Sequence, residues 1–189
     1  RSGPRSLSVR LRLLALAGGV GALISSESVN VLVARGSEQL SLAIGHAVAE
    51  TPDVVEAFAL PNPPAVIQPI AEAIRKSTGA SFVVVANADG IRYSHPDPDN
   101  IGEMVSTDPT VPLSGEEFVG TETGSLGTSL RAKVPVRDEG GAVIGTVSVG
   151  ILESRLSEAS AGFVPALAGG MFAAAGLGTL GSAVGARLV

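Results

Sequence analysis

Apolar positions along the chain fall into three regimes: an uncharged run near each end, and between them a polar stretch patterned first at helical and then at strand spacing. The first run extends from Leu13 to Ser26 behind Arg1, Arg5, Arg10 and Arg12. Arginines ahead of an apolar run are the orientation signal of a cytoplasmic N-terminus. The run alone falls short of the roughly 20 residues a membrane helix needs. A signal peptide has the same basic start and short apolar core. Continuation through Val29 to Val33, and a companion run at the other end, favour a spanning helix. That second run, Ala159 to Ala186, is closed by Arg187 and is long enough to span. Its Ala174/Gly178 and Gly181/Gly185 pairs would let helices approach closely. The predicted organisation is 1–12 cytoplasmic, 13–33 first transmembrane helix, 34–158 extracytoplasmic domain, 159–186 second transmembrane helix and 187–189 the start of a cytoplasmic part.

Within the middle, the spacing of Val31, Leu32, Leu40, Leu42, Ala43 and Val48 predicts a helix over Asn30 to Glu50. Thr51-Pro52-Asp53 restarts the pattern, with Thr51 as N-cap candidate and proline at the first helical position. Pro61 to Pro64 breaks it, and a further helix runs to Gly79, with Arg75 and Lys76 in a solvated last turn. His46 reads as an ordinary helical histidine. From Phe82 the character changes. Phe82–Val85 and Ile91–Ser94, joined by Asn87-Ala88-Asp89-Gly90, predict a β-hairpin that Pro96 terminates. The proline-rich stretch to Gly120 reads as a long loop with one helical turn near Pro112 to Glu117, and loops of that length are usually functional. Thr121–Val136 and Ala142–Ile151 are predicted as two strands joined at Arg137 to Gly141. Helices first and an antiparallel sheet later give an α+β class, with the long N-terminal helix packed on the sheet.

Composition narrows the chemistry. The chain has no cysteine and two histidines, which removes disulfides, thiolate sites and the usual zinc sites. Between Ser28 and Glu158 there are eight Lys/Arg against seventeen Asp/Glu, so this region repels nucleic acid and anionic lipid. An anion site there has to be local, built from a few convergent cations.

Gly124 to Val136, GSLGTSLRAKVPV, offers one. A turn with free backbone N–H groups precedes Arg131 and Lys133, which stand two apart in a β-type run and so share a face. Ser125 with the Leu126 and Gly127 amides resembles an anion-receiving nest. Arg92 adds a second planar fork and His95 an imidazole that donates from either nitrogen. Arg92 and His95, three apart, share a cavity only if the chain leaves the sheet at His95. Three cations and an imidazole exceed what one carboxylate needs, which implies a ligand with two or three. By spacing alone, Arg131 and Lys133 read equally as outward residues paired with the surrounding acids.

The stretches VVVANADGIRYSHPDPDNIG and GSLGTSLRAKVPVRDEGGAVIGTVSVG resemble the extracytoplasmic PAS-like (PDC) sensor domain of the citrate and C4-dicarboxylate sensor histidine kinases of bacterial two-component systems. The resemblance covers about Thr51 to Leu156 and implies a carboxylate pocket formed by Arg92, His95, Ser125, Leu126, Gly127, Arg131, Lys133 and Ser148, without metal or other cofactor. It also implies two flanking spans, a homodimer, a missing kinase region acting on a response regulator, and signalling by movement of the second span. Lys133 and Ser125 lean towards a tricarboxylate such as citrate, whereas Val84 stands where citrate-binding members carry a threonine. A chemoreceptor or cyclase sensor domain, or a secreted carboxylate-processing enzyme using His95 as general base, are the alternatives.

Overall fold

The computed structural model describes residues 27–28 and 30–158. The chain divides into two compact units, Arg1–Val33 with Ser157–Val189, and Ala34–Leu156, and the second contains the entire sheet. Among the described residues no helix is long and apolar enough to cross a membrane. The apolar runs predicted as spans, 13–33 and 159–186, lie wholly or mostly outside the described residues.

Helix α1 occupies 30–49, as its apolar spacing predicts, and buries Ile44, Val48 and Ala49. Thr51 stands at the N-cap of α2 (Pro52–Ala57) but does not cap it. Its hydroxyl instead donates to the Ala47 carbonyl at 2.6 Å, satisfying an orphan acceptor at the end of α1. Helix α3 (Pro64–Thr78) ends at Gly79, whose φ of 75° is the left-handed conformation that glycine adopts without a Cβ penalty. Four antiparallel strands follow: β1 (Phe82–Asn87), β2 (Phe118–Gly124), β3 (Gly127–Arg137) and β4 (Val143–Leu152), in the spatial order β1-β4-β3-β2. A short helix α4 (Thr110–Leu113) lies in the long connection before β2. It starts two residues earlier than the sequence predicts, because Asp108 accepts from Thr110 and initiates the turn.

Alternation along the strands separates two faces. Val83 and Val85 of β1, Val134 and Val136 of β3, and Val147 and Val149 of β4 form one core with Val48, Val54, Ile67 and Ala71 of the helices. Burying such a valine contributes about 1.5–3 kcal/mol, so this seam dominates the stability of the unit. The other face carries Phe82, Val84, Ser148, Arg131 and Lys133 in matching register, and is the face on which a site can form.

Two predicted strands come out differently. Residues 91–94 make only isolated bridges at Ile91 and Arg92 rather than a strand of the sheet. The Ser94 hydroxyl takes the place of a strand backbone, accepting from Val85 N–H at 2.8 Å and donating to the Val83 carbonyl at 3.2 Å. Thr121–Val136 is two strands, because the segment 124–127 is itself a tight hairpin turn that pairs Gly124 with Gly127.

Candidate anion-binding site

At the β1 edge the Tyr93 and Ser94 amides still donate to the Val85 carbonyl, and the chain turns away at His95, since Pro96 can donate no ladder bond. This departure brings Arg92 and His95 to the same cavity. Its walls come from β1 (Phe82, Val84), β3 (Arg131), β4 (Ser148), the 124–126 turn, and the 105–107 segment of the long connection. The cavity measures about 40 Å³. Ligand pockets usually measure roughly 300–1,000 Å³, so the site as it stands is contracted relative to one that holds a multi-carboxylate ligand.

Arg131 is 5% exposed and makes four of its five possible hydrogen bonds within the protein: Nε and Nη2 donate to Ser129 Oγ at 3.1 and 2.7 Å, Nη1 to Thr107 Oγ1 at 3.1 Å and Nη2 to the Glu122 carbonyl at 3.3 Å. Its guanidinium lies 5.0 Å over the Phe82 ring. That seat exists because Gly150 leaves room for the ring: a Cβ there would come within 2.4 Å of Phe82 Cζ. Arg92 differs. It is 4% exposed, yet among the described residues its guanidinium has no hydrogen bond, and the Glu103 carboxylate acts on it only through space. Burial pulls both guanidinium groups below their ordinary pKa, with Glu103 and Glu122 opposing the effect at Arg92 and Arg131 respectively. The Arg92 nitrogens are not among the buried polar atoms that lack a partner, so the fork faces the cavity and its solvent, where an anion would give it charge-assisted hydrogen bonds.

His95 is 2% exposed. Its Nδ1 lies 3.0 Å from the Asp97 N–H and 2.9 Å from the Asp97 carbonyl, and Nε2 lies 3.3 Å from Ser125 Oγ. The tautomer sets the roles: Nδ1 either accepts from the Asp97 N–H or donates to its carbonyl, and Nε2 correspondingly donates to or accepts from the Ser125 hydroxyl. Burial lowers the imidazole pKa, so the neutral ring is favoured. The Ser148 hydroxyl is buried at the cavity wall without a hydrogen-bond partner among the described residues.

Six of the eight residues expected from the sequence therefore line one cavity: Arg92, His95, Ser125, Leu126, Arg131 and Ser148. Gly127 and Lys133 do not line it. The Ser125 amide is taken by Ser106 Oγ at 3.0 Å, so part of the expected nest is already occupied. Lys133 donates to the Asp108 carbonyl at 2.6 Å and lies 2.7 Å from Glu122 Oε2. Glu122 was not legible as part of the site. Counting outward from the 124–127 turn would have placed it opposite Ser129 and on the face of Arg131. Ser106, Thr107 and Gln68 also escaped, because their approach depends on loop and helix placement. Gln68 in α3 brackets His95, accepting from its N–H and donating to its carbonyl, both at 2.9 Å.

The remaining cations serve elsewhere. Arg75 and Lys76 pair with Glu72, whose carboxyl the Arg75 guanidinium holds down at about 2. A wider groove beside α1 and α2 is lined by Glu50, Glu56, Glu117, Asp138 and Glu139 against His46 and Arg137, the wrong charge for an anion.

Residues 32–164 match the family profile described as single cache domain 3. The chain is 44% identical over 146 residues to the sensor protein CitS of Halalkalibacterium halodurans, covering 76% of this chain and 27% of that protein. It is 32% identical over 137 residues to the sensor histidine kinase DcuS of Escherichia coli, covering 72% and 25%. The crystal structure of the Escherichia coli DcuS sensor domain superposes with a TM-score of 0.63 at 33% identity, covering 67% of this chain and 96% of that one. The chain spans about a quarter of the length of these curated relatives.

Proposed function

We propose, from the fact that this chain belongs to the single cache domain 3 family, that it is the ligand-sensing part of a membrane-anchored sensor histidine kinase and binds a small di- or tricarboxylate outside the membrane. The observation that carries this is the pairing of a buried, unpartnered Arg92 with Arg131 across one cavity, with the Ser148 hydroxyl unsatisfied beside them. Carboxylates supply what these groups lack: planar oxygen pairs for two forks and an acceptor for the hydroxyl. His95 Nε2 and Ser125 provide further donors.

Admission of such a ligand requires the 105–107 segment to move, since the cavity is too small while Thr107 holds Arg131. Ligand oxygens then replace Thr107 on the guanidinium. The spans at 13–33 and 159–186 anchor the domain, two copies associate, and the response regulator is addressed by a kinase region in the remainder of the protein. Similarity to sensor histidine kinases supports this over a chemoreceptor or cyclase.

Calorimetric titration of the full chain with citrate, isocitrate, malate, fumarate and succinate tests the proposal. Arg92→Ala is the cleaner variant because no structural hydrogen bond is lost with it, whereas Arg131→Ala also frees Ser129 and Thr107. Each is expected to weaken binding by roughly 2–5 kcal/mol. If no acid binds, or Arg92→Ala binds as tightly as the wild type, the pocket is not a carboxylate site.

A further inference from the structure

Glu122 stands on β2 facing the site, opposite Ser129 of β3. Its Oε2 lies 2.7 Å from Lys133 Nζ and 3.6 Å from Arg131 Nε. That oxygen is buried and receives no well-directed hydrogen bond, so charge holds it in place. Lys133 is itself buried, with its ammonium 4.9 Å over the Phe118 ring and bound to the Asp108 carbonyl. The other acids near these cations, Glu103 and Asp108, are exposed, and water and salt screen them. The buried cations of the site, Arg92, Arg131 and Lys133, therefore stand against the half-buried Glu122, whose Oε2 alone is fully buried. Glu122 pairs most closely with Lys133 and more loosely with Arg131, so one carboxylate stands against three cations and the excess positive charge lies at the two guanidinium groups that wall the cavity.

We propose that Glu122 is a resident counter-anion that reserves Lys133 and so tunes the site to ligands with two carboxylates in preference to three. A third carboxylate would have to expel Glu122 from Lys133 or lie beside it. A like charge in a desolvated site lowers affinity, and specificity of this kind is built from repulsion as much as attraction. The proposal rests on the carboxylate function above and reverses the leaning towards citrate that Lys133 suggests when read without its partner.

The test is calorimetric titration of the full chain with malate and citrate, for the wild type, Glu122→Gln, Lys133→Met and the Glu122→Gln/Lys133→Met pair. The wild type should bind malate more tightly than citrate. Glu122→Gln should improve citrate relative to malate by about tenfold or more, and the double variant, with the charge balance restored, should return to the wild-type ratio. Lys133→Met alone leaves Glu122 uncompensated and should weaken malate binding. It decides the matter if thermal melting shows that Glu122→Gln does not fold. A wild-type preference for citrate, an unchanged ratio in Glu122→Gln, or unchanged malate binding in Lys133→Met overturns the counter-anion role. Absence of binding by the wild type overturns the carboxylate function itself, a separate outcome.

Discussion

Burial and hydrogen bonding pull the His95 imidazole in opposite directions. Desolvation lowers its pKa most, the Asp97 backbone raises it, the Arg92 charge lowers it further and the Asp97 carboxylate raises it, with a net position below the ordinary 6.5. Below that pH the unfolded chain takes up a proton that the folded chain refuses, so stability falls as pH drops through 6.5 towards the lowered folded value. Above 6.5 both states are neutral and the dependence vanishes. The slope from one such group is at most about 1.4 kcal/mol per pH unit. The melting temperature of the ligand-free chain should thus decline from pH 7 to 5.5, and His95→Gln should flatten that decline even if it lowers the melting temperature throughout. An equal slope in the variant would mean that His95 titrates as it does in the unfolded chain. A bound anion favours the protonated ring, so saturating ligand should shallow the slope as well.

Helix α3 reaches the site through one side chain, because the paired 2.9 Å hydrogen bonds of Gln68 fix the backbone at the residue where the chain leaves the sheet. Gln68→Ala removes both and exposes no alternative partner, so urea denaturation should show a loss of about 1–3 kcal/mol. Carboxylate affinity should fall with it, since His95 and Arg92 lose their common anchor. Unchanged affinity at reduced stability would confine Gln68 to a structural role. Elements of this kind mark the boundary of what the sequence discloses. Helices α1 and α3 and strand β4 were legible because their signals are local: apolar spacing, proline at a start, glycine at an end. The departure at 91–94 was not, because a serine hydroxyl replaces the strand backbone there and no periodicity records it. The 118–137 hairpin was legible only in part: the Gly-Ser-Leu-Gly turn reads as an anion nest, but its division of Thr121–Val136 into two paired strands is hidden in a continuous β-type pattern. In the site, Arg92, His95, Arg131 and Ser148 converge as the motifs imply. The engagement of Lys133 by Glu122 depends on cross-strand register, and is visible only once that register is known.

At the scale of the whole molecule, β4 is the strand through which occupancy could leave the site. It pairs with β1 on one side and β3 on the other, carries Ser148 at the cavity wall, and is followed directly by the helical residues 153–158. A ligand that draws Ser148 towards the guanidinium groups acts on the central strand of the sheet, and a stiff strand passes displacement along its axis instead of absorbing it locally. The ligand does so only through its preference for the drawn-in state. Helix shifts in such switches are on the order of 1–2 Å, about one residue of helical rise. The chain has no cysteine, so each engineered pair reports alone. If 13–33 and 159–186 are the spans proposed above, cysteine pairs placed at successive depths in them, in the full chain in membranes, should change their relative crosslinking yields when saturating malate is added. The pairs that gain should lie displaced towards one side of the membrane from those that lose, and Arg92→Ala should abolish the change. Identical yields with and without ligand, in a chain shown by calorimetry to be occupied, would exclude piston-like transmission through β4 and direct attention to the association of two copies.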